Sequence, residues 1–221
     1  MAMHFLITAG GTREYIDPVR FISNASSGRM GYALAHAALK AGHAVTLITA
    51  PTALKPPAGA EVVAVVSAAE MFAAVKEHFS GCDCLIMAAA VADYTPAKPS
   101  KTKLKKQGGA SPTLQLRLKP TTDILQWAGR NKAGPRTTGH GARIVVGFAL
   151  EDQNLRANAE RKMRDKHLDM IVANAPSAIN AEQSSVHIKT GDSRWIEIVA
   201  RSKTAIAKRI ISLIETGEVN R

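Results

Sequence analysis

Apolar and polar positions along the chain fall into an alternating series of strands and helices. Residues 5–9 are almost continuously apolar and stop at Gly10-Gly11, the pattern of a buried strand ended by a turn. A loop carrying Asp17-Pro18 follows, and Ser26-Ser27-Gly28 precedes a helical pattern over 30–40 that closes at Gly42. Further strands are predicted over 44–49, 61–66 and 84–90, with a helix over 68–79 between the last two. After an interruption the rhythm resumes: helix 123–131, strand 144–149, helix 155–166 and strand 170–173. A hairpin over 185–189 and 195–199 and a helix from Lys203 complete the series. Strands alternating with helices predict an α/β fold, a parallel sheet with helices on both faces. The strands are continuously apolar, as burial on both faces requires.

The interruption covers 95–122. It holds Lys98, Lys101, Lys103, Lys105, Lys106, Arg117 and Lys119 and no acid, together with Pro96, Pro99, Pro112 and Gly108-Gly109. Leu114, Leu116 and Leu118 alternate with polar residues as in an exposed strand. The expectation is a basic flap followed by a β-arm, inserted into a single domain over 1–221.

Charge narrows the function classes. Lys and Arg total 29 against 18 Asp and Glu, a formal net charge of +11 over 221 residues. Apolar residues make up 46% and charged residues 21%, which excludes wholesale disorder and a collagen-like fibre. No apolar run reaches the roughly 18 residues of a membrane-spanning helix. The start lacks the basic end and long apolar stretch of a signal peptide, so a cytoplasmic protein without a membrane partner is expected. Cys82 and Cys84 are too close for an ordinary disulfide and too few for zinc, and read as small core residues. A positive chain suits nucleic acid, an anionic membrane surface or phosphorylated small molecules. Only 5% of residues are aromatic, and none interleave with the basic ones, so a nucleic-acid partner is not expected.

Ligands of open parallel sheets bind beyond the carboxyl ends of the strands. Those ends carry Gly10-Gly11, Ala92-Asp93, Phe148-Ala149 and Asn174. The first turn, Gly10-Gly11-Thr12-Arg13, is not G-x-G-x-x-G, and no acid follows the second strand to hold a ribose. A P-loop is absent too. Ser26-Ser27-Gly28-Arg29-Met30-Gly31 could cap its helix around an anion, or a serine could simply be the N-cap. Asn24 offers a donor and an acceptor to an amide or carboxylate, or serves a turn. Arg20 could grip a phosphate or carboxylate, or pair with Asp17. Asp93 could touch a ribose or a magnesium ion. Lys162 and Lys166 share a helix face and could grip phosphates, or be solvated beside Glu160 and Asp165.

These stretches resemble the phosphopantothenate–cysteine ligases of coenzyme A biosynthesis over essentially the whole chain. The most specific are Ile7-Thr8-Ala9-Gly10-Gly11-Thr12-Arg13-Glu14 and Asp17-Pro18-Val19-Arg20-Phe21-Ile22-Ser23-Asn24-Ala25-Ser26-Ser27-Gly28-Arg29-Met30-Gly31. Ala88-Ala89-Ala90-Val91-Ala92-Asp93-Tyr94, Lys103-Leu104-Lys105-Lys106 (a K-x-K-K signature) and Val146-Gly147-Phe148-Ala149 add to it, as does the stretch 169–174. The resemblance implies a Rossmann-like fold and a two-step reaction. A nucleoside triphosphate, CTP or ATP, with magnesium activates 4′-phosphopantothenate as an acyl-nucleotide, and the amine of cysteine then displaces the nucleotide.

It also implies residue roles. Lys103 would serve activation, Asn24 the acyl intermediate, and Arg20 the phosphopantothenate. Met87, Ala88, Ala89, Asp93, Thr122, Asp123, Ile124, Leu125, Phe148, Lys162 and Lys166 would contact the nucleotide, and Asp93 its metal. Gly10, Gly11, Ser27 and Gly28 would shape the phosphate end. A homodimer with the flap near the partner is implied, and no flavin domain is expected, since the chain begins at the ligase strand. Lys119-Pro120-Thr121-Thr122-Asp123-Ile124 departs from the common bacterial pattern by a displaced lysine and a missing proline, leaving CTP against ATP open.

Overall fold

The computed structural model describes residues 2–105, 114–134, 143–178, 181–191 and 194–219. In chain order these form β1 (His4–Ala9), β2 (Arg13–Tyr15), β3 (Phe21–Ser23), α1 (Arg29–Lys40), β4 (Ala44–Thr49) and β5 (Glu61–Ala64). Then come α2 (Ala68–Phe79), β6 (Cys84–Met87), β7 (Tyr94–Pro96), β8 (Leu118–Pro120), α3 (Ile124–Asn131) and β9 (Ile144–Leu150). The rest are α4 (Leu155–Asp165), β10 (Met170–Asn174), a 3₁₀ turn (Pro176–Ala178), β11 (Gln183–Thr190), β12 (Ile196–Ser202) and α5 (Lys203–Glu215).

Eight strands make the main sheet in the order β12-β11-β10-β9-β6-β1-β4-β5. The six from β10 to β5 run parallel, and β11 and β12 extend the sheet antiparallel. The mostly parallel, helix-flanked α/β sheet of the sequence reading is therefore present. Its tail hairpin joins the main sheet as the edge.

Strand periodicity explains the layers. Phe5, Ile7, Leu47, Ile86 and Val172 point to α1 and α5, where they meet Leu34, Ala35, Ile206 and Ile210. Leu6, Ile48, Leu85, Val145 and Ile171 point to the opposite face, against Met71 and Val75 of α2, Ala128 of α3, and Ala159 and Met163 of α4. Each such Leu or Ile is fully buried and stabilises the fold by about 1.5–3 kcal/mol. Cys82 and Cys84 are buried, as core residues should be, and burial pushes the Cys84 thiol well above its ordinary range. Among the described residues no helix is long and apolar enough to cross a membrane.

Three expectations need correction. Strand 84–90 ends at Met87, because the Ala89 N–H turns to Thr8 Oγ1, and Ala90 rejoins only in an isolated parallel bridge with Gly11. The loop after β1 contains an unforeseen hairpin, β2 with β3. The β-arm is shorter than the leucine alternation suggested. Leu114 and Leu116 are exposed and outside any strand, and only Leu118–Pro120 pairs, with Tyr94–Pro96. Lys106, Gly108-Gly109 and Pro112 lie outside the described residues.

Candidate active site

The chain runs from β1 to β4 and β5 on one side, then returns to lay β6 on the other side of β1. Crossovers therefore diverge between β1 and β6, the position at which open α/β sheets leave a crevice. A cavity of about 750 Å³ opens there, within the range of small-molecule sites. It brings together Asn24, Ser27, Gly28, Met87, Ala88, Ala89, Asp93, Thr122, Asp123, Ile124, Leu125, Phe148, Lys162 and Lys166.

Gly10, Gly11, Arg20 and Lys103 are not in that lining. The two glycines stand behind it. Gly10 has φ +82°, and a Cβ on it would sit 2.9 Å from the Ala50 carbonyl oxygen. A Cβ on Gly11 would sit 2.8 Å from the Asn24 carbonyl oxygen. These glycines thus admit protein backbone, where the sequence reading expected a phosphate. Their consequence is the close approach of Asn24 to the β6 loop.

That loop is held from three sides. Thr12 Oγ1 accepts the Ala92 N–H at 2.9 Å, and Thr121 Oγ1 donates to the Ala92 carbonyl at 2.6 Å. Asn24 Nδ2 donates to the carbonyls of Ala90 and Val91, both at 3.1 Å. The two carbonyls fix the amide orientation, so Oδ1 is the end left for a ligand.

Neither serine caps α1. Its N-cap is Gly28 in the left-handed region, without a side-chain cap and with no acid in the first turn. A helix start so arranged keeps its partial positive charge for an anion in the cavity. On α3 the N-cap is Asp123, which accepts the Gln126 N–H at 2.9 Å and pairs with Lys166 Nζ at 2.7 Å. Burial opposes ionisation of Asp123, but Lys166 and the Gln126 N–H outweigh it and hold its pKa below the ordinary value.

Lys162 does not pair with the helix acids the sequence offered. Its Nζ donates to the Phe148 carbonyl at 2.8 Å. Burial first, then repulsion from Lys166, pushes its pKa down. The folded state therefore carries a penalised ammonium. That penalty is present at low pH and is relieved as pH rises through the depressed folded value towards lysine's ordinary 10.5. Lys162→Met is accordingly expected to change unfolding free energy by no more than about 1 kcal/mol at pH 7, relief of desolvation offsetting the lost Phe148 hydrogen bond. Urea unfolding measures this.

The cavity also contains Asn174, a strand end expected at the ligand side, Arg29 from the 26–31 stretch, and Ser184 and Lys203, which sequence reasoning did not single out. Lys203 opens α5, and its Nζ donates to the Ala178 carbonyl at 3.2 Å. Burial and then Arg29 lower its pKa. A cation at a helix start opposes the dipole, and its signal in the sequence is the absence of acids from the first turns of α1 and α5.

Among the described residues no group of three or more His, Cys, Asp or Glu forms a metal cage. Two carboxylates line the cavity, Asp93 and Asp123, and Lys166 engages Asp123. Asp93 alone suits a magnesium ion that arrives with phosphates and water as its other ligands.

Arg20 and Lys103 occur together elsewhere. Arg20 pairs with Asp17 and donates through Nη2 to the Leu104 carbonyl at 2.7 Å. The exposed Lys103 is the preceding residue on the same segment, the strap, which is the described part of the basic flap over 97–105. The Asp17 alternative for Arg20 is thus realised.

The chain is 42% identical over 225 aligned positions to the coenzyme A biosynthesis bifunctional protein CoaBC of Bacillus subtilis, covering 97% of this chain and 53% of that protein. It is 41% identical to CoaBC of Mycobacterium tuberculosis, covering 96% and 51%. The chain therefore spans about half the length of these relatives. A crystal structure of the C-terminal domain of a CoaBC superposes with TM-score 0.80 at 36% identity, covering 99% of this chain and 97% of that one. A Cab2 variant in complex with phosphopantothenate-cysteine shares the fold, with TM-score 0.74 at 17% identity, covering 99% and 88%. Residues 1–217 match the model of the DNA/pantothenate metabolism flavoprotein C-terminal domain, and the chain belongs to that family.

Proposed function

We propose that the chain is a phosphopantothenate–cysteine ligase acting in coenzyme A biosynthesis. The observation that carries the reading is one cavity at the β1/β6 divergence holding an oriented Asn24 amide, Lys162 of α4 and Lys166 at its C-cap. The relation to CoaBC supports the substrates, 4′-phosphopantothenate and cysteine. In the first step a carboxylate oxygen attacks the α-phosphorus of CTP or ATP, and the bond to pyrophosphate breaks. In the second, the neutral amine of cysteine attacks the acyl carbon. The acyl–oxygen bond breaks, the nucleoside monophosphate leaves with the electron pair, and the nitrogen gives up a proton.

The chain's own groups suit these steps. Lys162 and Lys166 offset charge on the phosphates, and burial strengthens Lys162 in that task. An anion beside Lys162 reverses its desolvation cost, so nucleotide binding raises its pKa. The Asn24 side-chain oxygen Oδ1 accepts an N–H of the incoming amine or of the pantothenate amide. Magnesium, when bound with the nucleotide at Asp93, supplies further charge neutralisation.

Lys103 belongs to the activation step in this reading. It stands outside the lining, so the strap of this copy or of a second copy must carry it to the cavity mouth. A homodimer accommodates this. The hairpin tip and arm expose Tyr15, Val19, Phe21, Tyr94 and Leu118, an apolar surface fit for a second copy.

The test is pyrophosphate release with 4′-phosphopantothenate, cysteine and magnesium, CTP compared with ATP. Release that requires phosphopantothenate is expected, and the faster nucleotide assigns the base preference. Silence with both nucleotides overturns the reading. Lys162→Met is expected to raise the KM for nucleotide at least about tenfold while the protein stays folded.

A further inference from the structure

We propose that Asp17 is a positioning residue: it latches the basic strap to the β2–β3 hairpin and thereby sets where Lys103 stands. The inference rests on the role of Lys103 in the proposed ligase reaction.

The Asp17 side chain has no exposed surface. Its two oxygens do different work. Oδ1 accepts the N–H groups of Val19 and Arg20, both at 2.9 Å, which closes the hairpin tip. That half alone would serve a turn. Oδ2 faces the strap instead. It accepts the Leu104 N–H at 3.1 Å, from 87 positions away, and Arg20 Nε at 3.0 Å. Arg20 Nη2 bonds the same carboxylate and reaches the Leu104 carbonyl at 2.7 Å. One residue of the strap, Leu104, is thus held by both its N–H and its C=O. A planar guanidinium bridges the carboxylate and that carbonyl in fixed geometry.

A second anchor lies four residues earlier, where the Ser100 N–H donates to the Ile16 carbonyl at 2.8 Å. The strap is therefore pinned at 100 and at 104, with Lys103 beside the second pin. Burial opposes the charge on Asp17, but the Arg20 contact outweighs it, so the carboxylate stays ionised well below the ordinary range. The hairpin continues directly into Asn24, so one rigid element carries both the cavity amide and the seat of Lys103.

The test uses the full chain. Asp17→Asn keeps an oxygen for the hairpin tip and replaces Oδ2 with an amide nitrogen that cannot accept the Leu104 N–H. Leu104→Pro removes that N–H from the strap itself, and carries the test if Asp17→Asn unfolds. Hydrogen exchange is expected to rise about tenfold or more at the Leu104 amide in Asp17→Asn and at the Ser100 and Thr102 amides in both variants, with β1 and α1 protection unchanged. The kcat for pyrophosphate release is expected to fall about tenfold or more, because Lys103 is misplaced, with little change in the KM for cysteine. Combined with Lys103→Gln, neither variant is expected to cost anything further. Unchanged strap exchange overturns the latch. An undiminished cost in the Lys103→Gln background overturns its action through Lys103. A Lys103→Gln protein with the wild-type rate overturns the ligase role of Lys103 instead, and strap exchange then decides the latch alone.

Discussion

Lys103→Gln is expected to lower acyl-nucleotide formation by about a thousandfold without loss of stability. The magnitude is that of removing one charge-stabilising donor from a developing oxyanion. Stability should hold because the side chain is exposed and makes no described contact in the fold. The contrasting variant is Asn24→Ala, which is expected to leave activation partly intact and slow the cysteine step, so that acyl-nucleotide accumulates. Asn24→Asp is the worse probe of the same idea. It would set a carboxylate oxygen against the Ala90 and Val91 carbonyls, where Nδ2 now donates at 3.1 Å to each. A carboxylate facing two carbonyl oxygens, with no hydrogen between them, would disturb the loop whatever the chemistry. Single-turnover assays with labelled nucleotide separate the two steps. Equal loss of both steps in both variants would remove the division of labour between Lys103 and Asn24.

The sequence carried the scaffold because the scaffold is made of local periodicity. Among the described residues α1 to α4 begin and end within a residue of the apolar pattern and α5 begins at Lys203 as expected, while the N-caps Ser67 and Ser202 were not singled out. Asp93, Phe148 and Asn174 were legible too, since the ends of parallel strands share one side of the sheet, whereas Met87, Ile124 and Leu125 came only from the resemblance.

What failed to be legible depends on contacts distant in the chain. Lys203 lies in the cavity because β11 and β12 fold back on β10 and deliver the start of α5 beside α1. No local pattern states that. Lys162 had two acids within four residues, but its helix turns the side chain inward to a strand carbonyl. Arg20 was read as gripping a ligand or pairing with Asp17. Its further bond to Leu104, 84 positions away, was invisible. The β2–β3 hairpin escaped because three-residue strands are too short to establish alternation.

Gly31→Ala tests whether the site depends on the fit between α1 and β1. A Cβ on Gly31 would lie 2.6 Å from Ala9 Cβ and 2.8 Å from the Thr8 carbonyl oxygen. Both neighbours are on the central strand and fully buried, so the clash is with scaffold that cannot give way cheaply. The expected cost is about 3 kcal/mol, a fall in Tm of roughly 6–12 °C for a chain of this size. Relief must come from α1 moving outward at its first turn, which carries Gly28 and the uncapped N–H groups that face the cavity. Anion binding should therefore weaken more than overall stability alone would dictate. Ala9→Gly in the same chain removes the nearer of the two contacts and leaves the carbonyl. The double variant should thus be more stable than the sum of the single effects, while still falling short of the parent. Thermal unfolding and nucleotide titration on the four proteins of this cycle read both quantities. Strict additivity would show that α1 does not lean on Ala9, and that the N-terminus of α1 is positioned by something other than the missing side chain of Gly31.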